Sequence, residues 1–271
     1  MDLIQQAEAA EAIGQLQNAL ERWEKICHKD PDPASLCKLG RLKRKLGQWQ
    51  PAEEALLAAL AIDRNFPHAM VQLGILNIDR EDIDGDLSMQ QAVFWLEKAI
   101  ALEPSASAYT LLGVTFAYSD DSDSARRAFK RAIELDDKYE EAYYNLAGLP
   151  DTDLKQQRQL YRKAIQLDPD YAIAHQAIGI IEHKLRNIAT AAYHFRRAVD
   201  LDPLNVFSHL YLANALAVQE DFQAAELEFR AALAVDSPDH VRDTAEFFAV
   251  FLDRQGRHEE AAQVRRAKAS S

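Results

Sequence analysis

The chain has 271 residues, of which 48% are hydrophobic, with only nine Gly and nine Pro, a balance that supports a buried core and favours helix throughout. A formal net charge of −12 disfavours general attraction to nucleic acid or to anionic membranes, since both are polyanions. Two cysteines, Cys27 and Cys37, make no disulfide framework and are expected as reduced thiols. The segment Met1–Gly14 carries Asp2, Glu8 and Glu11 without a basic stretch, so it does not read as a secretory signal. The longest apolar run, Ala55–Ile62, is too short to span a bilayer. A cytoplasmic address and no membrane insertion are the expectations.

An internal period organises the chain. Alanines stand at Ala19, Ala52, Ala92, Ala125, Ala191, Ala225 and Ala261, with Gln157 filling the gap, at separations of 33, 40, 33, 32, 34, 34 and 36. Four residues later comes a bulky side chain at Trp23, Leu56, Leu96, Phe129, Tyr161, Phe195 and Phe229. Another small residue follows at Ala59, Ala99, Ala132, Ala164, Ala198 and Ala232, and then a stop such as Leu102-Glu103-Pro104, Leu167-Asp168-Pro169 or Leu201-Asp202-Pro203. Small residues at fixed points let two helix axes approach while the bulky one fills the space beside them, and proline ends the second helix. Upstream of each alanine lies a second pair: Leu39-Gly40, Leu73-Gly74, Leu112-Gly113, Leu146-Ala147, Ile178-Gly179, Leu212-Ala213 and Phe248-Ala249. It marks a first helix in each unit. Gly14, Gly47 and Gly256 fall at one equivalent point, the turn between the helices, where a left-handed C-cap suits glycine.

This layout resembles the tetratricopeptide repeat, a helix–turn–helix unit, over essentially the whole chain. The resemblance implies an all-α, right-handed α-solenoid superhelix of about eight repeats, one domain over 1–271. In chain order the repeats lie near 1–32, 33–66, 67–105, 106–138, 139–170, 171–204, 205–238 and 239–271. The third carries an insertion within Asp79–Ser88. In the fifth, Pro150 is expected to cut the first helix short after Leu149, and Gln157 replaces a small packing residue. The eighth has Arg265 and Lys268 where the aromatic and small residues belong, which reads as a polar cap.

In the family, first helices line the concave face. Carried over position by position, the resemblance places there Cys37, Lys38, Arg41, Arg44 and Lys45 of the second repeat. The third repeat offers His68, Val71, Gln72, Ile75 and Ile78, the fourth Thr110, Val114 and Tyr118, and the fifth Tyr144 and Asn145. The sixth adds Gln176, Ile180 and His183, and the seventh Phe207, Leu210, Tyr211, Asn214 and Val218. An apolar middle beside a basic N-terminal end suits a peptide with apolar residues and an acidic stretch.

Catalytic chemistry has little footing. No two glycines stand close enough for a dinucleotide loop or P-loop. The eight histidines form no local metal-ligand spacing, and His175 and His183, on one helix face, lie about 12 Å apart by helical rise. Neither the lysine–asparagine clamp of chaperone-tail binders nor the asparagine rows of sugar-transferring members is present at the matching positions. The expected function is a protein-interaction scaffold or adaptor that binds an extended or helical segment of a partner protein. No catalytic, cofactor or metal residue is expected. An RNA-binding helical-repeat protein and an enzyme with a site across the groove stand as alternatives.

Overall fold

The computed structural model describes residues 2–80, 85–235 and 241–269. Among these residues all regular secondary structure is helical, in two compact units, Met1–Asp151 and Thr152–Ser271.

The first unit holds α1 (Leu3–Ala12), α2 (Leu16–Lys29), α3 (Pro33–Lys45), α4 (Trp49–Ile62), α5 (Pro67–Asp79), α6 (Asp86–Leu102), α7 (Ala106–Tyr118), α8 (Ser122–Leu135) and α9 (Glu140–Ala147). Successive pairs pack as hairpins from α1–α2 to α7–α8, and α9 packs on α8 and α7. Starts are set by local chemistry: Asp32 accepts from the backbone N–H groups of Ala34 and Ser35 at 2.9 and 3.1 Å, and Pro33 opens α3 where its missing N–H costs nothing. The second unit holds α10 (Leu154–Leu167), α11 (Ala172–Lys184), α12 (Ile188–Leu201), α13 (Val206–Val218), α14 (Phe222–Ala234), α15 (Val241–Arg254) and α16 (His258–Ala269). Helix α10 packs on α11, and α11–α12, α13–α14 and α15–α16 form hairpins.

The small-on-large contacts are those expected from the period. A methyl added to Gly113 would lie 2.5 Å from Phe129 Cε1, and one on Gly179 would lie 2.6 Å from Phe195 Cε1. Gly40 and Gly74 meet Leu56 and Leu96 in the same way. The turn between the helices uses a left-handed residue, Gly14 (φ +75), Gly47 (+70) or Gly256 (+77). Asp120 (+57), Arg186 (+65) and Glu220 (+63) take the same conformation at the equivalent point, so the hairpin geometry demands it even where no glycine is supplied.

The departures have local causes. Within the third-repeat insertion, residues 81–84 lie outside the described residues. In the fifth repeat α9 is only eight residues long and stops at Ala147, two residues earlier than expected, and the chain divides just after Pro150. Arg265, read as part of a polar cap, bonds Glu246 at 2.9 and 3.0 Å and Asp253 at 3.0 Å. The Lys268 side chain lies outside the described residues. Among the described residues no helix is long and apolar enough to cross a membrane.

Candidate functional site

The second unit carries a groove of about 830 Å³. Its walls come from the first helices of three consecutive repeats, α11, α13 and α15, with Phe195 of α12 and Phe222 of α14 behind them. On α15 the lining residues include Asp243, Phe247, Val250 and Arg254, spaced by four, three and four residues. That spacing is one face of a helix. The same positions on α13 are Phe207, Tyr211, Asn214 and Val218, of which the last three line the groove, and on α11 Ile180 and Lys184 do.

The surface is mostly apolar. Phe195 and Phe251 are buried at its base, while Tyr211, Val218, Phe222, Phe247 and Val250 remain exposed. Tyr211 stacks on Phe195 with ring centroids 5.3 Å apart and planes 18° from parallel, which holds the phenol in place over a buried ring. Asn214 donates from Nδ2 to the Leu210 carbonyl at 3.0 Å, which occupies one of its amide donors. Lys184 and Arg254 end their helices exposed, and among the described residues neither is ion-paired. Glu246 is held by Arg265, whose hydrogen bond keeps that carboxyl below the usual range. Asp243, at the same end of α15, is exposed.

The residues expected on the concave face divide three ways. Ile180, Tyr211 and Asn214 come together in this groove with His183 and Val218, and Phe207 is exposed on the same face of α13. Thr110, Leu210 and Cys37 are corrected: they are buried, at 3%, 6% and 8% exposure. Val71, Tyr144 and Gln176, at the same repeat position as Thr110 and Leu210, are half-buried, and Gln176 Oε1 accepts from Asn205 and Ser208 of the next repeat, at 3.5 and 3.4 Å. That position points between neighbouring first helices. Ile75, Val114 and Asn145 are half-buried in the first unit, and Asn145 donates to the Glu141 carbonyl at 2.8 Å.

Three of the four cations at the basic N-terminal end are corrected as well, while Lys45 stays exposed. Arg41 pairs with Glu11 at 2.5 Å, Lys38 with Glu8 and Arg44 with Asp79. These cations join α3 to the neighbouring first helices α1 and α5 and are not left open to an acidic ligand. Sequence reasoning missed Lys184, Phe247, Val250 and Arg254. The signal was present: the offsets from Gly179 and Ala213 to the groove residues, applied to Ala249, reach Phe247, Val250 and Arg254. Among the described residues no group of three or more His, Cys, Asp or Glu side chains is placed to hold a metal ion.

Comparison with known proteins agrees with this architecture. Two family models described as tetratricopeptide repeat match residues 106–139 and 158–206. Anaphase-promoting complex subunit 3 of Schizosaccharomyces pombe is 26% identical over 151 residues, covering 54% of this chain and 23% of that protein. Protein bimA of Emericella nidulans is 27% identical over 177 residues, covering 64% of this chain and 21% of its own length. The chain thus spans less than a quarter of either relative. A solved structure, the APC/C hetero-tetramer Cut9–Hcn1, superposes with a TM-score of 0.71 at 15% identity, over 92% of this chain and 48% of that one; at that identity the likeness shows the fold. Period and hairpin packing, with the family models over residues 106–139 and 158–206, agree on the tetratricopeptide repeat as the unit from which the chain is built.

Proposed function

We propose that the chain is a protein-interaction scaffold whose α11–α13–α15 groove holds a segment of a partner protein. One observation carries this: three consecutive first helices turn the same face, with exposed Tyr211, Val218, Phe247 and Val250, into one groove of about 830 Å³. Exposed apolar surface gathered into one concavity is what a binding site requires and what a stable monomer avoids. Tyr211, rigidly stacked, is the anchor, because an immobilised ring loses little rotamer entropy on binding. RNA binding is less favoured, since the groove presents two cations, Lys184 and Arg254, with Val218 at the matching position between them, and so no continuous cationic track for phosphates.

Selection of a phage-displayed random peptide library on the purified chain tests the proposal. Selected peptides should bind Tyr211→Ala and Phe247→Ala at least about tenfold more weakly, an anchor's share of roughly 2 kcal/mol, with melting temperatures little changed. Peptides that bind both variants at full strength would place the interaction elsewhere.

A further inference from the structure

The groove has a chemically distinct edge. Lys184 and Arg254 lie five residues after Gly179 and Ala249, at the same repeat position, with Val218 at that position on the helix between them. All three line the groove. They form a row of cation, apolar group and cation along the edge where the first helices end. On α3, Lys38, Arg41 and Arg44 each find a carboxylate, while Lys45, at the repeat position of Lys184, is exposed and among the described residues has none. Among the described residues Lys184 and Arg254 have none either, both are exposed, and unlike Lys45 they line the groove. Of the two acids further along α15, Glu246 is already occupied by Arg265, so the charge left to complement is chiefly positive.

We infer that the segment bound in this groove is acidic as well as apolar: its apolar side chains cover Tyr211, Phe247 and Val250 while aspartate or glutamate side chains reach Lys184 and Arg254. This rests on the groove being the binding site and specifies its ligand. The acidic stretch that the sequence assigned to the N-terminal cations therefore belongs at the other end of the chain. Opposite charge along one edge fixes direction and register and speeds encounter, whereas the apolar floor supplies most of the affinity. The competing role for the two cations is local: a positive side chain in a last turn complements the helix carbonyls. Such a role would be felt in folding and not in binding.

The peptide selection separates these outcomes. Sequenced binders should be enriched in Asp and Glu next to apolar residues. A synthetic peptide of the selected consensus should bind the charge-reversed pair Lys184→Glu/Arg254→Glu about tenfold or more weakly. The neutral pair Lys184→Gln/Arg254→Gln should lose less, and raised salt should weaken binding to the unaltered chain only. Binders that need Tyr211 but carry no acidic enrichment, or that bind the charge-reversed chain unchanged, would overturn the acidic ligand and leave the groove standing. Lowered melting temperature with unchanged affinity would assign the cations to the helix ends. Binders indifferent to Tyr211 and Phe247, or none at all, would sink both the groove and the ligand.

Discussion

Replacing Gly113 tests the packing rule on which the architecture rests. Its missing Cβ would lie 2.5, 2.7 and 2.9 Å from Cε1, Cδ1 and Cζ of Phe129, where carbon atoms attract best at about 3.5–4.0 Å. Phe129 is 1% exposed, so its ring has no solvent side to swing toward. One methyl can nonetheless be seated: Ala213 stands at the same repeat position, fully buried, in the hairpin that carries Phe229. Gly113→Ala should therefore set an overpacking cost of about 1–3 kcal/mol against a helix gain of about 0.5–1 kcal/mol. The net is a loss of roughly 0–2.5 kcal/mol. Gly113→Leu adds three more carbons to a filled space and should cost at least about 3 kcal/mol, the top of the overpacking range.

For a body the size of Met1–Asp151, each kcal/mol lowers the melting temperature by about 2–4 °C, so the leucine variant should melt roughly 6–12 °C early. Circular dichroism at the helical band reads this directly. Hydrogen exchange should show the damage concentrated in α7, α8 and their neighbours, because repeat contacts are local. A leucine variant that melts within a degree of the unaltered chain would refute the assignment of Gly113 to the close-packing point.

Three further outcomes follow from particular residues. Arg186 holds φ at +65 in a turn where Gly14, Gly47 and Gly256 do the same, so Arg186→Gly should stabilise by about 0.5–1 kcal/mol, whereas Gly47→Ala, with open space around its missing Cβ, should lose about 1 kcal/mol through φ alone; paired thermal melts decide. The fully buried carboxylate of Glu182 accepts from Arg158 Nε at 2.7 Å, Arg162 Nη2 at 3.0 Å and Asn187 Nδ2 at 2.8 Å. Burial pushes its pKa up, but the bonds from Asn187 and Arg158 outweigh that and hold it below the usual carboxylate range. A depressed folded pKa gives stability that is present above the unfolded value near 4.3 and is lost as pH falls through the folded value. Glu182→Gln should thus cost about 2 kcal/mol at neutral pH, less than for a wholly buried pair because both arginines are partly exposed, and should flatten the acid limb of a stability–pH curve. Amide exchange in α9 and the residues up to Asp153 should be faster than in α11, since α9 has eight residues and Pro150 supplies no N–H; uniform protection across both would refute a weak fifth repeat.

The fold was legible because its signals are small residues and aromatics at repeating points, and each reports a local contact that recurs. Gly179 and Phe195 announce one hairpin whichever repeat they occupy. The site was harder, for three physical reasons. A one-residue error turns a helical side chain by about 100°, which is how buried Leu210 came to be placed beside Tyr211 in an open groove. Ion pairs between repeats join residues far apart in sequence: Arg41 and Glu11 are 30 apart, Arg44 and Asp79 35 apart, and composition gives no hint of which carboxylate each cation meets. The last repeat, finally, departs from the pattern in its second helix at Arg265, yet its first helix keeps the groove face intact through Phe247, Val250 and Arg254. Taking the whole repeat as a cap hid half of the site.

Helix α3 and the helices α13 and α15 use one stripe of the first helix for opposite ends. In α3 the two positions beside the close-packing residue carry Lys38 and Arg41, each joined to a glutamate of α1. The matching pairs are Tyr211 with Asn214 on α13 and Phe247 with Val250 on α15. Partly exposed ion pairs of the first kind contribute at most about 1 kcal/mol each, but they leave a wetted surface with no cost in solubility. The second kind leaves Phe247 at 53% and Val250 at 37% exposure, and that exposed area gains nothing from folding, because surface still in contact with water has released none of its hydrophobic free energy. Folding alone would favour the first arrangement in every repeat. That α13 and α15 keep the second, on consecutive first helices and around a tyrosine already fixed against Phe195, is what the proposed ligand would account for.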